Sequence, residues 1–519
     1  MKISVIIALL FTVGLSFALN PIVIKGTKFF DSVTKEQFFI KGVAYQPRGQ
    51  VKDGTMDPLA DPAACARDAP LMAKLGTNVL RVYEVDPRRD HDACMKSFAN
   101  AGIYLLLDIA TPHYSINRKA PEYTVHLYNA YKLTVDAFAK YNNLLAFIAG
   151  NEVTNDKTNT PASAYVKASI RDIKQYIQST HNRQIPVGYA SNDDEFIRDP
   201  IKDYFNCGDE DTQADFFGIN LYEWCGASSF EKSGYKERTK EFEAYSKPVF
   251  LSEYGCNLVT PRQFAEVAAI YGPQMTNVWS GGVVYEWTQE NNKYGLVKIN
   301  GDGKAEELQD YHNLQAQMLN AKPKGVHMDN YNEQRSASAC PEISENWKAT
   351  AQLPPTPSDG ACECMVENLG CVASDKVEAA SRQVGNSTIG AQLDIMCGIT
   401  SCADISGDAE KGEYGAFSFC SPRDKLSWLY NLQAMQTKSC QNEGLGQEVV
   451  PKRHDIQTCA NVAPNFNSPI GFPSASGPST NASSSSSPLS SFSLVSAIIQ
   501  SGGVFFASAL FAMVAVLFT

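Results

Sequence analysis

Between residues 38 and 287 the chain alternates short runs of consecutive apolar residues with stretches long enough for a helix. The runs fall at 38–44, 79–83, 104–109, 144–149, 185–189, 216–221, 249–252 and 283–287. Runs that are apolar throughout, not at every second position, predict strands covered on both faces, as in a parallel sheet. Eight such strands separated by helical segments over about 300 residues predict an α/β fold of the (β/α)8 TIM-barrel type. The open doubly wound alternative carries a Gly-rich phosphate loop after its first strand. Here that position reads Gly42-Val43-Ala44-Tyr45-Gln46-Pro47, which is no such loop.

Outside the barrel the pattern marks five further segments. Residues 1–18 join an early Lys2 to an apolar stretch ending in small residues, which predicts a signal peptide followed by a barrel domain over 19–340. A Pro-rich linker, with Leu353-Pro354-Pro355-Thr356-Pro357, occupies 341–360 and leads to a small disulfide-rich module over 361–462. A Ser-rich stalk at 463–491 is too polar to bury a core, and a charge-free apolar tail at 492–519 closes the chain. Small residues, a polar spacer and a terminal apolar tail predict a glycosylphosphatidylinositol (GPI) signal, with Asn481 the best attachment site and 492–519 removed. The product is a secreted protein held by lipid on the outer face of the plasma membrane or in the cell wall.

Export changes how the 14 cysteines are read. In an oxidising compartment they predict disulfides, six of the cysteines before residue 341 and eight after it. A net charge of −11 argues against nucleic acid, whose phosphates need a basic surface. Asn386-Ser387-Thr388 and Asn481-Ala482-Ser483 are glycosylation sequons. The seven histidines are scattered, and His-Glu-x-x-His, Gly-x-Ser-x-Gly and Walker-type motifs are missing, so no metal, cofactor or nucleotide is expected.

Barrel enzymes carry their reacting groups at the C-terminal strand ends. Those ends hold Tyr45-Gln46, Tyr83, Asp108, Asn151-Glu152, Asn192-Asp193-Asp194, Asn220 with Tyr222, Glu253-Tyr254 and Tyr285-Glu286-Trp287. Strands four and seven face each other across a barrel, which pairs Glu152 with Glu253. Glycoside cleavage needs one carboxylic acid to protonate the leaving oxygen and one carboxylate to attack the anomeric carbon. Glu152 is read as acid/base, its pKa raised by the neighbouring charge of Glu253, the nucleophile. Asn151 is placed to hydrogen-bond the sugar 2-hydroxyl, and Tyr285 to hold the second oxygen of Glu253. Alternation along the strands is expected to turn Glu84 and Glu286 away from the site. Tyr83, Tyr222, Tyr285 and Trp287 are either core aromatics or sugar-stacking platforms.

Several stretches resemble the fungal glycolipid-anchored β-1,3-glucanosyltransferases. They include Asp57-Pro58-Leu59-Ala60-Asp61-Pro62, Leu75-Gly76-Thr77-Asn78, Arg81-Val82-Tyr83, Ser115-Ile116-Asn117-Arg118, Ala149-Gly150-Asn151-Glu152-Val153, Tyr222-Glu223-Trp224-Cys225-Gly226 and Ser252-Glu253-Tyr254-Gly255-Cys256. The resemblance implies a retaining transglycosylase that cuts inside a β-1,3-glucan and passes the new reducing end to the non-reducing end of a second chain. It implies that Glu152 and Glu253 are the acid/base and nucleophile, and that Tyr83, Asn151, Asp193, Arg198 and Tyr285 bind glucan, with Gln46, Asp108 and Tyr222 as additions. It also implies the disulfides Cys65 with Cys94, Cys207 with Cys340 and Cys225 with Cys256. The later cysteines look like the family's carbohydrate-binding-like cysteine module, in which Tyr414, Phe417, Trp428 and Tyr430 form either a core or a sugar platform. Glu84 and Glu286 depart from the family pattern. The alternatives are an endo-β-1,3-glucanase, since water can resolve the same intermediate, and a non-catalytic glucan-binding wall protein.

Overall fold

A computed structural model describes residues 19–46, 57–377 and 388–452. The leader at 1–18, the sequon at Asn386, the stalk, Asn481 and the apolar tail lie outside the described residues. Among those described, no helix is long and apolar enough to cross a membrane.

The chain opens with a three-stranded antiparallel sheet, β1 Ile22–Lys25, β2 Lys28–Asp31 and β3 Gln37–Phe38. Eight parallel strands follow: β4 Ile40–Ala44, β5 Val79–Val82, β6 Tyr104–Asp108, β7 Leu144–Asn151, β8 Val187–Asn192, β9 Phe217–Asn220, β10 Val249–Tyr254 and β11 Trp279–Val284. They close into a barrel in which β11 pairs with β4. Helices alternate with them: α1 Pro62–Leu75, α2 Asp92–Asn100, α3 Val125–Phe138, α4 Ala162–Thr180, α5 Arg198–Asn206, α6 Tyr235–Phe242, α7 Val267–Ile270 and α8 Gln309–Asn320. The predicted TIM barrel is therefore the observed fold. Strand eight is displaced from its predicted place. β11 begins at Trp279 and ends at Val284, so Tyr285, Glu286 and Trp287 lie beyond it.

Two cores hold the barrel. One fills the space between strands and helices, with Leu80, Leu105, Phe147 and Leu251 facing Met72, Val135, Ile170 and Phe242. The other lies inside the barrel, where Ile40, Ala146, Phe216 and Phe250 meet Phe29 of β2. The Phe29 ring sits 6.2 Å from Phe216 and 6.3 Å from Phe250, so the small N-terminal sheet caps the barrel end opposite the carboxylates. The two barrel edges close tightly at Gly281, with φ of 102°, where an added Cβ would fall 2.1 Å from the Ile40 carbonyl oxygen. Only glycine fits such a close backbone approach.

Six disulfides are described: Cys65–Cys94, Cys207–Cys340, Cys225–Cys256, Cys362–Cys420, Cys371–Cys440 and Cys397–Cys402. The Pro-rich connector is a strap packed along the barrel. Trp347 is fully buried in the barrel's outer core, and Tyr204 Oη donates to the Thr350 carbonyl at 2.8 Å. Arg171 of α4 bonds both Asp172 and the Pro354 carbonyl, while Thr356 donates to Asp172. The cysteine module continues that attachment. Lys425 Nζ reaches Glu122 Oε1 at 2.7 Å, and the Val125 amide donates to the Phe419 carbonyl at 2.9 Å. Within the module Phe417, Trp428 and Tyr430 are buried, so the core reading accounts for these three aromatics. Tyr414 packs edge-on against Tyr165 of α4 at 5.7 Å.

Candidate active site

At the C-terminal end of the barrel a cavity of about 570 Å³ is lined by Gln46, Tyr83, Asp108, Asn151, Glu152, Glu253 and Tyr285, together with Glu84 and residues 110–112 and 115–118. Both candidate carboxylates sit where the sheet is irregular. The β7–β8 register shifts between Ile148 and Asn151, and the β9–β10 register shifts between Leu251 and Glu253. Such irregularities re-aim side chains at barrel rims. Glu152 also adopts a left-handed backbone with φ of 49°, which is strained for a residue other than glycine. Its amide donates to the Ala190 carbonyl at 2.8 Å, and its own carbonyl accepts from Arg118 Nη2 at 2.7 Å. These bonds hold the strained turn in place.

Glu253 is gripped from three directions. Tyr83 Oη donates to Oε1 at 2.9 Å, Tyr222 Oη donates to Oε2 at 2.8 Å, and Arg81 Nη1 lies 3.4 Å from Oε1. Tyr222 thus holds the second oxygen. Tyr285 begins the segment beyond β11, and its ring meets those of Tyr83 and Tyr294 edge-on at 6.5 and 5.3 Å. Its backbone carbonyl accepts from Arg262 Nη1 at 2.7 Å, and the same guanidinium reaches the Tyr294 carbonyl and Asp310. Burial raises the Glu253 pKa, the charge of Glu152 adds to the rise, and Arg81 with the two tyrosine hydroxyls opposes it. Burial, and then the Glu253 charge, push both tyrosine hydroxyls well above their usual range, so they remain donors.

Arg81, which sequence reasoning did not single out, is the hub. It is fully buried, binds both oxygens of Asp108 at 3.1 and 2.9 Å, and donates to Asn151 Oδ1 at 3.0 Å and the Ser252 carbonyl at 3.0 Å. Burial disfavours its charge, but Asp108, Tyr83 and Glu253 outweigh that and hold it charged. Asp108 therefore spends its carboxylate on Arg81 at the floor of the cavity. Asn220 of β9, read from the sequence as a strand-end amide without a role, donates to Glu152 Oε1 at 2.7 Å and to Asn151 Oδ1 at 3.1 Å. With Oδ1 accepting twice, the Asn151 side chain is oriented so that its NH₂ is the group left for a ligand. The sequence signal for Arg81 was a cation inside an apolar strand, which is tolerated only with a buried partner.

One expectation, the orientation of Glu84, needs correction. Glu84 is not turned away: β5 ends at Val82, so strand alternation does not extend to it, and it lines the cavity. Glu286 is buried, and its Oε1 accepts from Asn292 Nδ2 at 2.6 Å. Asp193 and Arg198 are not among the cavity-lining residues and are bonded to each other, with Arg238 3.5 Å from Asp193. Beside them, burial and then the Asp193 charge push the Glu223 carboxyl up to about 8.

Tyr222→Phe removes one of the two hydroxyl donors to Glu253. A lost hydrogen bond to a charged group costs about 1.5–3 kcal/mol, so kcat/KM for oligosaccharide turnover should fall roughly tenfold or more with the fold retained. An unchanged kcat/KM would show that the hydroxyl does not act on Glu253.

Residues 12–322 match the family described as Glucanosyltransferase, and residues 369–447 match the X8 domain. Among curated proteins, the 1,3-beta-glucanosyltransferase GAS2 of Saccharomyces cerevisiae is 46% identical over 431 residues, 80% of this chain and 76% of its own length. The pH-responsive protein 1 of Candida albicans is 46% identical over 424 residues, 79% of this chain and 76% of its own. Among solved structures, Saccharomyces cerevisiae Gas2p in complex with laminaritetraose and laminaripentaose superposes with a TM-score of 0.77 at 43% identity, covering 86% of this chain and 98% of that one.

Proposed function

The chain belongs to the glucanosyltransferase family, and from that premise we propose that it elongates β-1,3-glucan by retaining transglycosylation, with Glu253 as nucleophile and Glu152 as acid/base. The observation that carries the reading is the grip on Glu253: one buried carboxylate receiving two tyrosine hydroxyls and a guanidinium, in one cavity with Glu152. In the first step a Glu253 oxygen bonds to the anomeric carbon as the glycosidic bond breaks, and Glu152 gives its proton to the leaving oxygen. The leaving fragment departs, and the donor remains as a glycosyl ester. In the second step an acceptor hydroxyl attacks that carbon, Glu152 takes the hydroxyl proton, and Glu253 leaves as carboxylate. The Asn151 NH₂ meets the 2-hydroxyl next to the reacting carbon, and Gln46, Tyr83 and Tyr285 line the path of the chain. Asp193, Arg198 and Tyr222 lie on the β8–β9 side of the pair and are assigned to the acceptor chain.

The apolar leader and the tail behind a Ser-rich stalk support export and a GPI lipid anchor, which would keep the enzyme against its insoluble substrate at the cell surface. Incubating the secreted protein with a reduced laminari-oligosaccharide, followed by mass analysis, tests the function. Products longer than the substrate are expected; shorter products alone would make it an endo-glucanase, and binding without turnover would make it a glucan-binding wall protein.

The Glu253 shift sets the sign of the pH dependence. The carboxyl must be ionised to attack, and burial raises its pKa, so kcat/KM falls as pH drops through that raised value. The acidic limb is expected above the ordinary glutamate range of about 4.3. In Tyr222→Phe, which loses a donor to the charged form, the limb should move further up; a limb at the ordinary position in both proteins would contradict the assignment.

A further inference from the structure

Four carboxylates line the cavity, and three have hydrogen-bond donors: Asp108 from Arg81, Glu152 from Asn220, and Glu253 from Tyr83 and Tyr222. Glu84 is the exception. It is 7% exposed, yet among the described residues no donor reaches its carboxylate within hydrogen-bond distance. His113 Nε2 lies 3.8 Å from Glu84 Oε1, on a side chain 67% exposed. Burial raises the Glu84 pKa, and His113 works against that rise. Beside it, Gln46 Oε1 accepts the Tyr83 and Glu84 amides at 3.0 and 3.1 Å. That fixes the Gln46 amide so that its buried Nε2 has no partner among the described residues. The buried Gln46 donor without a partner carries a desolvation cost, and the Glu84 carboxylate beside it faces the cavity, so a ligand with hydroxyl groups would match both.

We infer that Glu84, with Gln46 beside it, forms a sugar-binding subsite on the β4–β6 side of the carboxylate pair, in which the Glu84 carboxylate accepts hydroxyls of a glucosyl unit next to the reacting one. The inference rests on the glucan reading above. A polyol suits the pair because each sugar hydroxyl both donates and accepts, and bonds to an ionised carboxylate are about twice as strong as neutral ones. The subsite contributes binding, not chemistry, and so favours oligosaccharides long enough to occupy it.

The test measures KM and kcat on reduced laminari-oligosaccharides of increasing length for the full secreted protein and for Glu84→Gln and Glu84→Ala. With long substrates Glu84→Ala should raise KM about tenfold, with kcat changed less than twofold and Glu84→Gln, which keeps an acceptor oxygen at nearly the same shape, falling in between. The difference should vanish for oligosaccharides too short to reach the subsite, and the product-length distribution should shift. Wild-type KM in both variants, a fall in kcat at unchanged KM, or an equal effect at every length would overturn the subsite. Should Glu84→Ala fail to fold, the near-isosteric Gln variant decides alone by the same length dependence. If the wild-type protein itself gives no product, the glucan reading falls and this one with it.

Discussion

Glu253→Gln is expected to lower turnover of β-1,3-glucan by about 10⁴-fold or more while the protein stays folded. Glutamine keeps the shape and an acceptor oxygen for one of the Tyr83 and Tyr222 hydroxyls, which now bond separate oxygens, but its neutral amide cannot form the glycosyl ester. Glu152→Gln should suffer a similar loss on glucan for a different reason, since no proton then reaches the leaving oxygen. An aryl β-laminaribioside separates the roles, because a good leaving group departs without protonation. The burst of released phenol should survive in Glu152→Gln and be absent in Glu253→Gln. The reverse pattern would exchange the two roles, and a burst in both would remove the pair from the chemistry.

Arg81→Met should be the most damaging single substitution for stability. The side chain is fully buried against Asp108, and breaking a buried pair by removing one partner costs about 3–5 kcal/mol, because a charge is left uncompensated. Asp108 would be stranded, and Asn151 and Glu253 would each lose a donor. A melting temperature lowered by several degrees, with turnover on oligosaccharides reduced at least a hundredfold, is the expected result. The double variant Arg81→Met with Asp108→Leu replaces the pair by apolar volume and should recover much of the melting temperature. Its activity should stay low, since nothing then holds Asn151 and Glu253. Recovery of activity along with stability would reduce Arg81 to a structural role.

The strain at Glu152 belongs to the same design. A left-handed backbone at a non-glycine residue costs about 1–3 kcal/mol, yet it occurs at the carboxylate read as acid/base and is tied down by the Ala190 carbonyl and Arg118. Arg262 does comparable work on the far side, joining the carbonyls of Gly255, Tyr285 and Tyr294 to Asp310. Two buried guanidiniums thus fix the loops that carry the candidate glutamates and tyrosines. Each spends its donors on backbone, carboxylate or amide oxygens that burial would otherwise leave unmatched.

Much of this was legible in the chain. Strands covered on both faces have no polar positions until they end, so their apolar runs identified the barrel, and the first polar residues past each run identified Glu152, Glu253, Asn151 and Tyr83. Read together with the apolar leader, the 14 cysteines predicted disulfides before any geometry was known. The runs were less reliable about endings. β11 stops at Val284 because Tyr285 leaves the sheet for the rim, and a buried loop residue is as apolar as a buried strand residue. Glu84 was misdirected for a related reason: alternation fixes the direction of a side chain only while the strand lasts, and β5 had ended two residues earlier.

The sequence by itself determined the barrel, the separate cysteine module and the residue types at the strand ends, because burial and chain reversal act on neighbours along the chain. Only the tertiary structure decided which donor serves which acceptor. Arg81, Tyr222 and Asn220 come from β5, the segment after β9, and β9 itself, and they meet Asn151 and the two glutamates across the barrel mouth. No spacing in the chain encodes that meeting. It follows from closing eight strands into a ring, which brings distant strand ends together in a place too dry for any of their charges to stand alone.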